Sequence, residues 1–167
     1  MRDTLWFMDT FTLVHVVLSL VGIASGLVVL AGLLSGKRLD GWTATFLAST
    51  VLTSVTGFGF PFVQFLPSHG IGIMSLFLLA AAILARYVRH LVGGWARIYI
   101  ISAVASLYLN AFVLVVQAFL KSPALNALAP TQSEPPFLAA QLIVLVLFVV
   151  LGYLAVARFP RQTRRIA

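Results

Sequence analysis

The sequence predicts an all-α protein, a polytopic membrane bundle of five transmembrane helices. Of its 167 residues, 61% are hydrophobic and only 9% are charged, whereas soluble domains are about 45–50% apolar and about 25% charged. The mean hydropathy is +1.07. The apolar residues are also gathered into five runs, each near the roughly 20 residues that a helix needs to cross a bilayer. These observations exclude a soluble globular domain and a disordered chain.

The five predicted spans cover residues 11–35, 43–65, 71–88, 95–120 and 137–157. The first run is longer than the apolar core of about 7–15 residues in a signal peptide, and no cleavage motif follows it. We therefore expect it to be retained as a membrane span. The whole chain, 1–167, is predicted to be a single transmembrane domain that ends in a basic cytoplasmic tail, 158–167.

The basic residues predict the orientation of the bundle. Eleven Lys and Arg stand against four Asp and Glu, a net charge of +7. Nine of the eleven lie between spans 1 and 2, around the junction of spans 3 and 4, or after span 5. The positive-inside rule then places the N-terminus outside and the C-terminus in the cytoplasm. Because basic residues flank apolar runs, we expect lipid and not nucleic acid as their partner.

The C-terminal tail carries the densest basic cluster. Its arginines are predicted to bind anionic lipid of the cytoplasmic leaflet, where each charge near the surface contributes about 1 kcal/mol. They are Arg158, Arg161, Arg164 and Arg165.

Several functional classes are disfavoured by what the sequence lacks. It contains no cysteine, which excludes disulfides, thiolate metal sites, iron–sulfur clusters and Cys nucleophiles. No nucleophile elbow, metal-spaced histidine pair or phosphate loop is present, so we predict no catalytic residue and no metal site. All four acids fall outside the spans, which argues against an ion-coupled transporter; an oligomeric pore remains open.

Small and polar residues within the spans predict where the helices pack. Span 1 contains the small-xxx-small segment Gly22 to Gly26, and span 2 carries a face of hydroxyl residues, as helix interfaces in membranes do. Span 4 has a stripe of polar residues on one face, with Asn110 near the middle of the membrane. This stripe must face protein or water, because an unpaired amide in hydrocarbon costs several kcal/mol. Its members are Tyr99, Ser102, Ser106, Asn110 and Gln117.

The remaining polar residues concentrate in the outer half of the predicted bundle. We therefore predict an outward-facing pocket lined by His15, Gln64, His69, Asn110, Gln117 and Gln141. A few amides and imidazoles among apolar side chains suit a lipid, a quinone or another apolar ligand, and no cofactor is required. An accessory subunit that docks to a larger membrane complex, or that forms a homo-oligomer, fits the same pattern. The alternative is a b-type haem electron carrier in which His15 and His69 ligate the iron.

The loop between spans 4 and 5 is predicted to form a short helical lid over the outer ends of the bundle. Ser122 precedes Pro123 as an N-cap before a proline at the first helical position, and the apolar stretch ends at Pro130. Thr131 and Glu134 then stand at the spacing of a capping box. We assign Gln132 and Glu134 to this lid, although a segment that only covers the bundle has the same pattern.

Two segments of the chain carry a family resemblance. Residues 56–61, TGFGFP, followed by 66–69, LPSH, and residues 129–137, APTQSEPPF, resemble the signatures of a group of small, uncharacterised bacterial inner-membrane proteins. The resemblance covers most of the chain. It implies a bacterial inner membrane, and it carries over no catalytic residue because the group has no known activity.

Overall fold

The computed structural model describes residues 2–60 and 67–163, with side chains from 9 to 60 and from 69 to 159. All regular structure in these residues is helical. Six α-helices follow one another: α1 (Arg2–Leu34), α2 (Asp40–Gly57), α3 (Pro67–Ile83), α4 (Trp95–Lys121), α5 (Pro123–Leu128) and α6 (Pro135–Thr163). A π-helical turn, Leu84–Val88, continues α3.

Four of these helices are long and apolar enough to cross a membrane. The qualifying stretches are Asp9–Leu34, His69–Val88, Trp95–Lys121 and Pro135–Phe159. The all-helical prediction is therefore confirmed, and with it four helices of membrane-spanning length. The helix predicted at 43–65 is shorter than expected, because α2 ends at Gly57 in a turn whose Phe58 and Gly59 amides donate to the Val55 and Thr56 carbonyls. Seven of its 18 residues are Ser or Thr, which lowers its hydropathy.

Helices α1 and α2 pack antiparallel along their length. Glycines on α1 allow the close approach. A Cβ added to Gly22 would lie 3.0 Å from Thr50 Oγ1, and one added to Gly26 would lie 2.9 Å from the Phe46 ring. Such backbone approach at small residues is how membrane helices gain packing energy.

The first four long helices form a ring. Helix α1 packs on α2 and α4, and α3 packs on the same two helices, so the four enclose a common axis. Helix α6 lies outside this ring, against α4 and α1. The core fills one half of the ring with large apolar side chains, among them Val29, Phe46, Leu79, Ile100 and Leu107. The other half of the ring is not filled in this way.

The filled end of the ring is closed by a buried arginine. Arg86 lies in the π-helical turn, and its side chain is 6% exposed. It pairs with Asp40 at the start of α2, while its guanidinium lies 5.2 Å from the centre of the Tyr99 ring on α4. The Tyr99 hydroxyl in turn lies 3.4 Å from that of Thr43. One arginine thus joins α2, α3 and α4.

The predicted short helix between spans 4 and 5 is present as α5. Pro123 occupies its first turn, and Ser122 precedes it as N-cap without a side-chain hydrogen bond. Beneath it, Phe119, Ala129 and Phe137 form a small second core between the end of α4 and the start of α6. The segment therefore covers the junction of α4 and α6.

Candidate functional site

The unfilled half of the four-helix ring contains a cavity of about 470 Å³, within the usual range of ligand pockets, about 300–1,000 Å³. It is lined by α1 from Thr12 to Ile23 and by α4 from Leu109 to Lys121. At 1.5 Å per residue these stretches extend about 16–18 Å along the helix axes. The cavity therefore runs from the end of the ring that holds Lys121 to the middle of the bundle.

Helices α2 and α3 give the cavity a buried polar wall. Thr53, Ser54, His69 and Ser75 all line it and are each less than 9% exposed. Ser54 donates to Ser75 Oγ at 3.1 Å, so each of these two hydroxyls has a partner. The Thr53 hydroxyl differs, because it is buried and has no hydrogen-bond partner among the residues that the structure describes.

His15 enters the cavity from α1 and is fixed on two sides. Its Nδ1 lies 2.8 Å from Thr56 Oγ1, and its ring meets Phe60 edge-on at 5.1 Å between centroids. The Thr56 hydroxyl donates its single proton to the Leu52 carbonyl at 2.7 Å. Thr56 therefore accepts from His15 Nδ1–H, and Nε2 of the neutral imidazole is left as an acceptor.

Asn110 forms the inner boundary of the cavity, where three helices meet. Its Nδ2 donates to Thr50 Oγ1 at 3.4 Å, and a Cβ added to Gly22 would lie 3.4 Å from the same nitrogen. The amide therefore bridges α4 to α2 across the glycine of α1. Below this level, Leu107 and Phe46 close the axis against Gly26.

The α1 and α4 side of the cavity is more apolar and more open. Val16 on α1 is 38% exposed, Leu20 is 49% exposed, and Leu114 on α4 is 43% exposed, yet all three line the cavity. Apolar side chains that line the cavity and are also exposed mark an opening through the side of the ring. In a bilayer, such an opening would face acyl chains.

The cavity has little formal charge. Among the described residues that line it, Lys121 is the one Lys or Arg, and none is Asp or Glu. Lys121 is exposed at the last turn of α4, so its charge lies at the end of the cavity and not on the buried polar wall.

The structure brings together four of the six residues predicted to line a pocket: His15, His69, Asn110 and Gln117. Gln141 does not line this cavity. It is buried between α6 and α4, where its Nε2 donates to the Phe112 carbonyl at 3.3 Å while Oε1 has no partner within the described parts of the chain. Gln64 lies outside the described residues.

The predicted lid residues do not line the cavity. Gln132 donates from Nε2 to the Val116 carbonyl at 3.1 Å, which ties the loop to α4. Glu134 accepts from the Thr131 hydroxyl at 2.8 Å and from the Thr131 and Ser133 amides at 3.1 Å. Desolvation raises the pKa of Glu134, but these hydrogen bonds, led by that of the Thr131 hydroxyl, together lower it below its ordinary value.

Of the predicted lipid-binding arginines, Arg158 and the backbone of Arg161 lie at the other end of the bundle from the cavity. Arg158 is exposed on the last turns of α6. Arg161 belongs to the same helix, but its side chain is outside the described part of the structure, and Arg164 and Arg165 lie outside the described residues altogether.

Two features of the structure had no signal in the sequence. Thr53 is one of several Ser and Thr residues on the hydroxyl face of span 2. Nothing in their spacing shows that the Thr53 hydroxyl alone would have no hydrogen-bond partner among the described residues. Arg86 lies near the end of an apolar run, and an arginine in such a place usually extends its charge to the membrane surface. Asp40 lies far from Arg86 in the sequence, so nothing predicted that the two would form an ion pair. Both depend on contacts between helices.

A second groove of about 420 Å³ lies between α4 and α6 on the outside of the ring. Apart from the two tyrosines Tyr108 and Tyr153, its lining is apolar, so it offers little for specific recognition.

Within the described parts of the chain, no group of three or more His, Cys, Asp or Glu side chains is placed to hold a metal ion. Comparisons with protein-family models, with curated proteins and with solved structures find no match to this chain.

Proposed function

We propose that this chain is a small integral protein of the bacterial inner membrane. It binds an apolar or amphiphilic molecule in the cavity enclosed by the four helices α1 to α4, here called the α1–α4 cavity. It acts as an accessory or carrier protein and not as an enzyme. The observation that carries the proposal is the cavity itself. It combines a buried polar wall with an apolar side opening in a helical bundle that has four membrane-length helices. A lipid or a lipid quinone has the matching division into polar head and apolar tail.

The proposal includes α2 as a fifth span. Its contacts follow α1 in antiparallel register: Leu39 lies against Gly32, Phe46 against Gly26, Thr50 against Gly22, and Gly59 against the Phe11 ring. A helix that follows a membrane-length neighbour in this way lies at the same depth. Its 18 residues extend about 27 Å, close to the thickness of the hydrocarbon core, and five of its hydroxyl side chains are buried in the bundle.

Five spans and the basic residues together support an N-out, C-in orientation. Lys37, Arg38 and Arg89 follow helices that run towards one end of the bundle, and Arg158 lies at that same end. The cavity then opens towards the outer face, and the tail arginines contact anionic lipid at the inner face. Helix α6 exposes most of its apolar residues to the bilayer or to a partner subunit, because only 11% of its most apolar stretch, within Pro135–Phe159, is buried inside the bundle.

The test is mass spectrometry of the protein purified gently from its native membrane, comparing two variants with matched substitutions. Val113→Phe places a larger side chain in the cavity wall, whereas Val146→Phe places it on an exposed position of α6. We expect a lipid or quinone to co-purify with the wild type and Val146→Phe, and its occupancy to fall in Val113→Phe. Equal occupancy in all three, or no bound molecule and no uptake of added lipid or quinone, would overturn the proposal.

A b-type haem carrier is the second candidate, because the two predicted iron ligands, His15 on α1 and His69 on α3, line the same cavity. The hydrogen bond from His15 Nδ1 to Thr56 leaves Nε2 as the nitrogen for iron. Oxidised and reduced absorption spectra of the purified protein test this candidate. A Soret band with an α-band that sharpens on reduction supports it, provided that His15→Ala abolishes both; a featureless visible spectrum eliminates it.

A further inference from the structure

We propose that the ligand of the α1–α4 cavity is an amphiphile with an anionic headgroup, a phosphate or a carboxylate. Its acyl chain lies within the cavity, and its headgroup lies beside Gln117 and Lys121, at the end of the cavity that we call its mouth. This inference rests on the proposed binding function and specifies the ligand class. It follows from the length of the cavity, from the pairing of its polar wall and from the depth of Lys121 in the bundle.

The cavity has the length of one extended acyl chain. Its lining on α4 runs from Lys121 to Leu109, which is about 18 Å along the helix axis. The hydrocarbon core of a bilayer is about 30 Å thick, so the chains of one leaflet extend about 15 Å. Phe46 and Leu107 close the axis beneath this space. A chain that begins at the mouth can therefore extend through the cavity before it meets the apolar core.

Most of the polar wall is already paired within the protein. Ser19 donates to the His15 carbonyl at 3.0 Å, and Ser54 donates to Ser75 Oγ at 3.1 Å. The Thr53 hydroxyl oxygen has no partner among the described residues, but it is itself buried, so a ligand in the cavity does not reach it. The wall therefore makes little demand for a polar group deep in the cavity, and the apolar side chains around it suit a hydrocarbon chain.

The mouth differs from the wall, because it presents two exposed polar side chains. Gln117 and Lys121 lie one turn apart on the same face of α4, and both line the cavity. Neither side chain has a hydrogen bond or an ion pair within the described part of the chain. An ammonium and an amide nitrogen both donate hydrogen bonds to the oxygens of a phosphate or a carboxylate.

The depth of Lys121 matches that of a lipid headgroup. Helix α4 has 27 residues and ends at Lys121, so it extends about 40 Å, close to the 40–45 Å of a bilayer with its headgroups. A lipid of the adjoining leaflet thus has its headgroup at the level of Lys121 and its chains at the level of the cavity. The exposed lining residues Val16, Leu20 and Leu114 mark the side opening through which such a chain can enter.

The charge at the mouth selects the headgroup. Lys121 is the one Lys or Arg among the described lining residues, and none of them is Asp or Glu, so an anion at the mouth meets a cation and no like charge. Because Lys121 is exposed, water screens this attraction. We therefore expect a preference of about two- to fivefold for an anionic headgroup over a neutral one.

Four probes and one pair of matched variants test this inference. Hexadecyl phosphate and hexadecanol share one chain, and phosphatidylglycerol and phosphatidylcholine are used with identical acyl chains. Each probe is titrated into the full-length protein in an uncharged detergent, and the bound ligand is measured by native mass spectrometry. Lys121→Gln removes the charge at the mouth. Lys37→Gln, at the only other lysine of the chain, makes the same change at an exposed position beyond α1, outside the cavity lining.

We expect each anionic probe to bind the wild type about two- to fivefold more tightly than its neutral counterpart. This preference should disappear in Lys121→Gln, persist in Lys37→Gln and shrink as the salt concentration rises. Binding of hexadecanol and phosphatidylcholine should not change in either variant. Both variants should unfold at the wild-type temperature, because both lysines are exposed.

The outcomes separate this inference from the proposed function. If the anionic probes have no advantage in the wild type, or keep it in Lys121→Gln, the ligand class is wrong, while weaker binding of all four probes to Val113→Phe still supports the binding function. If Lys121→Gln weakens the neutral probes as much as the anionic ones, the headgroup assignment is wrong. If no probe binds the wild type and no lipid co-purifies with it, the binding function itself fails.

The two anionic probes also distinguish the sources of the headgroup. An advantage limited to hexadecyl phosphate supports the inference with a free single-chain amphiphile as the ligand. An advantage limited to phosphatidylglycerol supports it with a phospholipid of the membrane, whose second chain remains outside the side opening.

Discussion

Gly26 provides the sharpest test of how the bundle closes beneath its cavity. A Cβ at this position would lie 2.6 Å from Leu107 Cδ1 and 2.9 Å from two atoms of the Phe46 ring. Phe46 is 1% exposed and Leu107 is 2% exposed, so neither side chain can move aside into solvent. The Gly26→Ala variant must therefore separate α1 from α2 and α4, or force side chains out of their preferred rotamers.

The expected magnitude combines two opposing effects. Overpacking a well-packed core costs typically about 1–3 kcal/mol, and a contact under 3.0 Å on two neighbours belongs at the upper end of that range. Replacing a helical glycine by alanine recovers about 1 kcal/mol of helix propensity. We expect a net loss of about 1–2 kcal/mol. The control is Gly41→Ala on α2, whose added Cβ meets nothing within 4 Å and which should be neutral or slightly stabilising.

Thermal unfolding in one detergent, followed by intrinsic fluorescence, compares both variants with the wild type. Gly26→Ala should unfold at a lower temperature, and Gly41→Ala should not. If Gly26→Ala is as stable as Gly41→Ala, then α1 is not packed against Phe46 and Leu107 as described. The separation of the cavity from the apolar core would then be wrong as well.

Three further predictions follow from the ends of the bundle. Asp40→Asn should lower the free energy of unfolding by about 1–2 kcal/mol, because it leaves the largely buried charge of Arg86 without its carboxylate. An ordinary ion pair on the surface contributes only about 0–1 kcal/mol. An unchanged unfolding midpoint in detergent would contradict this prediction. Glu134 is the one glutamate in the chain, so a selectively ¹³C-labelled sample should show a single carboxyl titration. Its pKa should lie below that of an ordinary glutamate, and Thr131→Val should raise it. Because its folded pKa is lowered, the stabilisation from these hydrogen bonds is present above the unfolded pKa and is lost as the pH falls through the folded pKa; equal titrations in both proteins would refute the assignment. A reporter fused after Ala167 should be active only in its cytoplasmic form, and activity of a periplasmic reporter would reverse the orientation.

The sequence was sufficient for the features that depend on one helix at a time. Apolar runs of membrane length predicted the long helices, and the polar stripe on span 4 predicted which face of α4 is buried: Tyr99, Ser102 and Ser106 are at most 5% exposed. The proline signals around residues 122–130 predicted α5. The capping-box spacing predicted the contact between Thr131 and Glu134, but α6 begins only at Pro135, so this pair lies in the loop before the helix that it was expected to cap. These patterns are local, because helix periodicity and capping involve residues within about one turn of each other.

What the sequence could not predict depends on distances between helices. Gln141 and Asn110 are both amides inside predicted spans, and sequence analysis placed both in one pocket. In the structure Gln141 lies on α6, outside the ring, and bonds to the backbone of α4, while Asn110 faces the cavity. The ring closes with α1 to α4 and leaves α6 outside, an arrangement that hydropathy does not encode because every span is apolar.

The division of the ring into a packed half and an open half is what links the fold to the proposed function. Both halves are built from the same four helices, and they differ in side-chain volume along the axis. Towards the Arg86 end, Phe46 and Leu107 fill the space beside Gly26, whereas towards the Lys121 end the facing residues are Ser19, Thr53 and Ser75. Small hydroxyl side chains leave a void that a dry apolar core would not tolerate, since each unfilled volume costs packing energy. A ligand that fills this void would recover that energy, so we expect the bound protein to be more stable than the empty one by an amount that grows with ligand concentration.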